Sequence, residues 1–322
     1  MIMQKRLFQY DALKVFSIFL VVLGHVFIYT FQQSDNLIVS FINVVNMGMF
    51  MFISGFFAGK PSLLGLRKRI RSLLIPSITV GLLYSFVKRI SFESFIVSDL
   101  HLGYWFCFTL FCIYVIHLLS YLIGSIMVRN STIFVDLCLV ICVLILLVCY
   151  ALFYSDCELG RIFSVPMLSR FIPYYCYGVI LRNNNKLNRF VHNNSVFTIS
   201  LIVLLIVFYI NPNSTINRLL ISFSYINVMV YTFNLWFTDK SNNVISYVAT
   251  RTMNIYLFHF FFLPSLAMFW PKSFCIDSNI VLVLLGVGFI GVVVLLETLL
   301  FTKFIEISNF LSLIFFGIQN KK

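Results

Sequence analysis

The chain has 322 residues, of which 61% are hydrophobic and only 11% charged, and its mean hydropathy is +0.98. So little charge cannot cover the surface of a soluble domain, which leaves a polytopic membrane protein. The net charge of +12 requires no nucleic-acid partner, because a cytoplasmic bias of basic residues accounts for it.

A spanning helix needs roughly 20 mostly apolar residues, and ten such stretches follow one another, at 9–31, 37–58, 72–90, 102–123, 132–154, 165–181, 196–211, 219–237, 245–269 and 279–303. They predict an all-α membrane helix bundle of about ten transmembrane helices. The longest polar breaks, near 59–71 and 182–195, are too short for a separate domain, so the whole of 1–322 reads as one integral-membrane domain. The first stretch carries Asp11, Lys14 and His25 and lacks a small-residue cleavage site, which makes it a retained helix and not a cleavable signal. With the N-terminus in the cytoplasm, the inner segments hold most of the lysines and arginines, from Lys5 and Arg6 through Arg67–Arg71 and Arg182 to Lys321 and Lys322. The outer ones hold Lys88, Arg89, Arg161, Arg218 and Lys272. This asymmetry predicts that both termini are cytoplasmic, in the cell membrane.

Two histidines lie deep in apolar stretches, His25 after Leu-Val-Val-Leu-Gly and His259 after Asn-Ile-Tyr-Leu-Phe. Ionisable groups inside a bilayer are costly and mark functional sites. At about 100° per residue, Lys14 and His25 fall within about 20° of each other on the first helix, and Asp11 lies about 40° from His25. One stripe therefore carries polar groups about 16 Å along the axis, with the lysine near the cytoplasm and the histidine in the outer half. Lys14 also fits a snorkelling lysine paired with Asp11 at i, i+3. The ninth stretch runs in the same direction as the first, so His259 reaches a depth close to that of His25, and the two imidazoles suit one cavity or a helix-to-helix bond.

The even-numbered stretches run inward, which puts Asn43, Asn46, Trp105 and Arg170 near their outer ends. Amides, an aromatic ring and a guanidinium suit a sugar, which offers hydroxyls and apolar ring faces. Trp105 equally fits an interfacial belt, whereas Arg170 runs against the positive-inside trend. On the cytoplasmic side Arg67, Lys68, Arg69 and Arg71 crowd the short loop before Pro76, and Arg251 opens the ninth helix. Topology alone predicts basic residues there, and a cluster this dense also suits the phosphates of a nucleotide-like ligand. Glu297, in the last stretch, requires a cationic partner, for which Lys14 and Arg251 are candidates by depth. Most cysteines fall within the helices as small apolar residues, while Cys157 and Cys275, in outer loops, are candidates for a disulfide. No metal-ligand spacing, phosphate-binding glycine loop or internal repeat is present.

The motifs resemble a known family. Tyr10-Asp11-Ala12-Leu13-Lys14, ten residues and His25 are similar to the basic-residue, spacer, histidine signature of the integral-membrane acyltransferase type three family. Phe50-Met51-Phe52-Ile53-Ser54-Gly55-Phe56 resembles its Ser-Gly-Phe segment, and Arg67-Lys68-Arg69-Ile70-Arg71 with Pro76 its arginine pair and proline. Tyr104-Trp105-Phe106, Arg170-Phe171-Ile172-Pro173 with Gly178, and Ile255-Tyr256-Leu257-Phe258-His259 resemble its later elements. Lys14 stands where arginine is commoner, which keeps the charge and loses bidentate hydrogen bonding. The resemblance implies transfer of an acyl group, commonly acetyl from acetyl-CoA, to a hydroxyl of an extracytoplasmic carbohydrate or lipid-linked glycan. His25 would be the general base, with His259, Lys14 and Asp11 beside it. Arg67, Arg69, Arg71 and Arg251 would hold the donor, and Asn43, Asn46, Trp105 and Arg170 the acceptor. A glycan transporter or flippase is the competing class, and it would be expected to show two related halves.

Overall fold

In hydrocarbon a backbone has no hydrogen-bond partner except itself, so runs of Leu, Ile, Val and Phe this long must be helical. The computed structural model describes residues 7–34, 36–98, 100–127, 132–149, 158–210, 214–238, 241–264 and 280–317. Among the described residues there are helices and no strands. In chain order they are α1 (Phe8–His25) with a π-helical turn (Val26–Thr30), α2 (Leu37–Phe56), α3 (Leu63–Arg69) with a π-helical turn (Ile70–Leu74), α4 (Ile75–Lys88), α5 (Phe92–Val97), α6 (Trp105–Met127), α7 (Thr132–Cys149), α8 (Glu158–Ile162) and α9 (Val165–Asn183). Then follow α10 (Asn185–Val191), α11 (Asn194–Ile210), α12 (Thr215–Phe237), α13 (Asn243–Thr250), α14 (Thr252–Phe262), α15 (Ile280–Ile305) and α16 (Asn309–Phe316).

Local chemistry sets many of these boundaries. Ser62, Ser91, Ser214, Asn242 and Ser308 stand in extended backbone ahead of α3, α5, α12, α13 and α16, and each side chain accepts a hydrogen bond from an N–H of the first turn. Such caps are worth about 1 kcal/mol each. Within the apolar helices hydroxyls are satisfied one turn back: Ser17 donates to the Leu13 carbonyl at 2.8 Å and Thr298 to that of Val294 at 2.7 Å. No polar partner from another segment is needed for them.

Helices lie over all ten predicted stretches, but fewer qualify as spans. Among the described residues six helices are long and apolar enough to cross a membrane, and α10 with α11, bent by 62° at their junction, make a seventh if taken as one. Two of the other predicted stretches fall short for visible reasons. α9 is the least apolar of the long helices, with Arg170, Pro173 and three tyrosines in it. The 245–269 stretch breaks at Arg251, which leaves the helical region between α13 and α14.

The third stretch is longer than predicted. The basic residues Arg67, Lys68, Arg69 and Arg71 are not in a loop: α3, its π-helical turn and α4 form one candidate span, Leu63–Lys88. Ser62 starts this helix five residues before Arg67, and the wider turn accommodates Pro76, which lacks an N–H and crowds the carbonyl four residues back. Cys157 and Cys275 lie outside the described residues, whereas Cys107, Cys138 and Cys176 are buried free thiols.

The chain divides into two compact units, one of residues 1–50 and 185–302 and the other of 51–184 and 303–322. In the first, α1 packs against α12, α13 and α14, and α11 pairs with α12. Its core includes Val22, Val26, Phe27, Val45, Ile221, Ile226, Ile255 and Leu257, and Ser222 donates to the Val44 carbonyl at 2.8 Å, tying α12 to α2. In the second, α6, α7 and α9 pack together and α16 lies on α4.

The tightest approach in the second unit is backbone on backbone. A Cβ at Gly55 would run into the Tyr175 carbonyl, and one at Gly178 into the Phe52 carbonyl oxygen and the Phe56 nitrogen. Small residues of this kind let membrane helices close on each other where no hydrophobic effect drives them together. Gly55→Ala and Gly178→Ala should each cost roughly 1–3 kcal/mol by overpacking and lower the thermal-unfolding midpoint of the detergent-solubilised protein. Gly288→Ala, with open space at its Cβ, is the control. An unchanged midpoint for Gly55→Ala would contradict the contact.

Candidate active site

His25 is the last residue of the regular part of α1, and the helix widens immediately after it. In this turn the Phe31 N–H reaches back to the Val26 carbonyl at 3.1 Å. Such π turns are rare and concentrate at functional sites. His259 sits on α14, in the same compact unit, and is fully buried, whereas His25 is half-buried. The two rings lie 4.9 Å apart and nearly parallel, at 10°. Nδ1 of His25 and Nε2 of His259 are 2.7 Å apart, a hydrogen bond between residues 234 positions apart in the chain. Phe260 packs on both rings, at 4.7 Å from His25 and 4.2 Å from His259.

The bonding pattern assigns the protons. Nδ1 of His259 lies 3.0 Å from the Ile255 carbonyl and 2.7 Å from that of Tyr256. A carbonyl only accepts, so this nitrogen carries the hydrogen and Nε2 of His259 has a lone pair. His25 Nδ1–H therefore donates to it. The remaining proton site of the pair, Nε2 of His25, then holds a lone pair, and among the described residues it has no hydrogen-bond partner. The arrangement orients one basic nitrogen on the half-buried ring and backs it with a second imidazole that can share a developing positive charge.

Other predicted site residues are placed as follows. Lys14 forms a 3.8 Å ion pair with the buried Asp11, one turn away on α1, and lies about 16 Å along the axis from His25. Asn46 is buried with its side-chain carbonyl oxygen unpartnered, while Asn43 is exposed. Trp105 and Arg170, of the second unit, are brought together through Phe171: Trp105 stacks on its ring at 4.9 Å and Arg170 lies over it at 5.2 Å. Arg69 is half-buried over the ring of Tyr114 at 5.2 Å, while Arg67 and Arg71 are exposed. Arg251 rests on Tyr247 at 3.9 Å. Glu297 makes no ion pair among the described residues; its side chain is exposed, so neither Lys14 nor Arg251 is its partner. The four acceptor candidates thus belong to different units, Asn43 and Asn46 to the first, Trp105 and Arg170 to the second.

A third intramembrane histidine went unnoticed in the sequence. His117 on α6 is buried and hydrogen-bonds the Tyr175 hydroxyl of α9 at 3.0 Å. Its setting in Cys-Ile-Tyr-Val-Ile-His is as apolar as those of His25 and His259, and the same depth criterion would have found it.

These features define a multi-pass helical membrane protein organised round a hydrogen-bonded pair of imidazoles. The family described as an acyltransferase domain, that of the type three integral-membrane acyltransferases, matches residues 7–298, and the chain belongs to it. No curated protein and no solved structure matches the chain.

The geometry separates an orienting role of His259 from mere packing. His259→Ala removes the acceptor for His25 Nδ1–H and should lower acyl transfer by about 100-fold or more, the scale of a general-base contribution. His259→Gln offers an amide oxygen to the same N–H and should retain clearly more activity than alanine when turnover of a labelled acyl donor is measured. Equal loss in the two variants would remove the orienting role.

Proposed function

We propose that this membrane acyltransferase moves an acyl group, acetyl from cytoplasmic acetyl-CoA, to a hydroxyl of an extracytoplasmic carbohydrate such as a surface polysaccharide unit or a lipid-linked glycan. The observation that carries the reading is the His25–His259 pair, with a lone pair on Nε2 of His25 and the rest of the line committed to hydrogen bonds. In this reaction Nε2 of His25 takes the proton of the acceptor hydroxyl as its oxygen attacks the thioester carbonyl. A C–O bond forms, the C–S bond breaks, and the leaving thiolate recovers the proton from the imidazolium. While charged, that imidazolium shares its Nδ1 proton with His259, whose own N–H rests on two backbone carbonyls.

Arg67, Arg69, Arg71 and Arg251 are proposed for the donor phosphates. Arg69 is best prepared for it, since stacking on Tyr114 limits its rotamers before any ligand arrives. Asn43, Asn46, Trp105 and Arg170 are proposed for the acceptor, of which Asn46 has the strongest support, as an amide oxygen buried without a partner is otherwise a cost of roughly 1–3 kcal/mol. Lys14 and Asp11 are proposed to supply the polar stripe on the inner side of His25. The reading is of one membrane domain of about ten transmembrane helices in the cell membrane, with both termini in the cytoplasm, as the distribution of lysine and arginine supports.

Two measurements test this. His25→Ala should abolish acyl transfer from labelled acetyl-CoA while the protein stays inserted and monodisperse; residual turnover above roughly a few per cent of wild type would remove the general-base assignment. Arg69→Ala should weaken acetyl-CoA binding in calorimetry by roughly 10-fold to 150-fold, the loss of one charge-assisted bond of about 1.5–3 kcal/mol. It should leave binding of a pantetheine analogue without phosphates unchanged. A wild type with no detectable affinity for CoA would replace the enzyme reading with that of a glycan transporter.

A further inference from the structure

One ring beside the histidine pair has no part in the proton line. Tyr29 lies four residues after His25, within the π-helical turn, and such spacing keeps two side chains on the same side of a helix. Its ring centre is 5.8 Å from that of His25, at 59°. It also meets Phe260 edge-on, at 5.8 Å and 83°, and Phe260 in turn packs against His25 at 4.7 Å. The three rings therefore form a closed set. Within it Phe260 is 3% exposed, whereas Tyr29 is 51% exposed.

We propose that Tyr29 is an acceptor subsite: the apolar face of a sugar ring packs on its exposed phenol ring, which delivers one sugar hydroxyl to Nε2 of His25. The proposal rests on the acyl-transfer reading and deepens it, naming the residue that holds the carbohydrate acceptor and the ring face that it recognises. Three observations support it. The phenol is oriented by its edge-on contact with Phe260, so little rotamer freedom is lost when a ligand stacks on it. The 5.8 Å between the Tyr29 and His25 ring centres is a span that one sugar ring with a projecting hydroxyl bridges. His259 occupies the Nδ1 edge of His25 and Phe260 packs against its ring, which narrows the approaches to the basic nitrogen, and Tyr29 stands beside it. A tyrosine acting only as an interfacial anchor would help insertion and would not sort acceptors.

The experiment uses the full chain in lipid nanodiscs with labelled acetyl-CoA, a set of methyl pyranosides as cyclic acceptors and glycerol as the acyclic one. Tyr29→Leu should raise KM for the pyranosides by roughly tenfold, the loss of one aromatic contact, and leave both the use of glycerol and KM for acetyl-CoA unchanged. Tyr29→Phe, which keeps the ring, should stay close to wild type. Equal effects of Tyr29→Leu on pyranosides and glycerol, or no effect on either, overturn the proposal. Saturation-transfer NMR with the pyranosides gives a binding readout that needs no turnover. Transfer that disappears in Tyr29→Leu supports the subsite even if the wild type acetylates nothing, in which case only the acyl-transfer reading falls. Transfer that persists in Tyr29→Leu, or that is missing in the wild type, overturns the subsite.

Discussion

Polar groups inside hydrocarbon must find their partners within the protein, and the line from His25 through His259 to the Ile255 and Tyr256 carbonyls meets that requirement without a charged residue. It also fixes the topology of its unit. The bond joins residues 234 positions apart, so residues 1–50 must close on 185–302, while the intervening 51–184 form a unit with the C-terminal segment. Loop-closure entropy grows only slowly with loop length, and the packing of α1 on α12, α13 and α14 offsets it through buried aliphatic side chains. The bond between the two histidines is thus laid across the seam of a core, where packing holds both rings in register.

How much of this was legible in the sequence depended on whether the signal was local. Composition and apolar run length carry the helical membrane class, and the depths of His25 and His259 put the two imidazoles at one level. The details that escaped depend on helix geometry at single turns. A π-helical turn has no composition of its own, so the widening after His25 was invisible, and a basic run followed by proline read as a loop when it is a helix that begins at Ser62 and widens ahead of Pro76. Arg251 read as the opening of a long helix because nothing in a hydropathy window registers one residue leaving the helical region. Glu297 was assigned a cation by depth, a criterion that says nothing of the direction its side chain takes. The joining of Trp105 to Arg170 through Phe171 depends on how α6 and α9 pack, information spread over many residues of both.

A shared device runs through the arginines. With 11 acidic residues against 23 lysines and arginines, carboxylates cannot orient them all, and aromatic side chains, 18% of the chain, take over. Arg69, Arg170, Arg182 and Arg251 lie over Tyr114, Phe171, Phe56 and Tyr247. A ring face holds a guanidinium plane through its quadrupole without cancelling its charge, and the fork of N–H groups keeps a defined direction. A carboxylate in the same place would direct the side chain and neutralise it together.

Ending the proton line on carbonyls has an electrical consequence. A carboxylate behind His259 would put a fixed negative charge partway across the bilayer, where the transmembrane potential acts on every unit of charge with about 2.3 kcal/mol per 100 mV for a full crossing. Two neutral imidazoles and two peptide dipoles carry no net charge at rest. As the base proposed above, His25 would wait in the same protonation state whether the membrane is energised or not, and only the brief imidazolium of the proposed transfer would be exposed to the field. A cell whose membrane potential rises and falls with its energy supply would keep this site primed throughout.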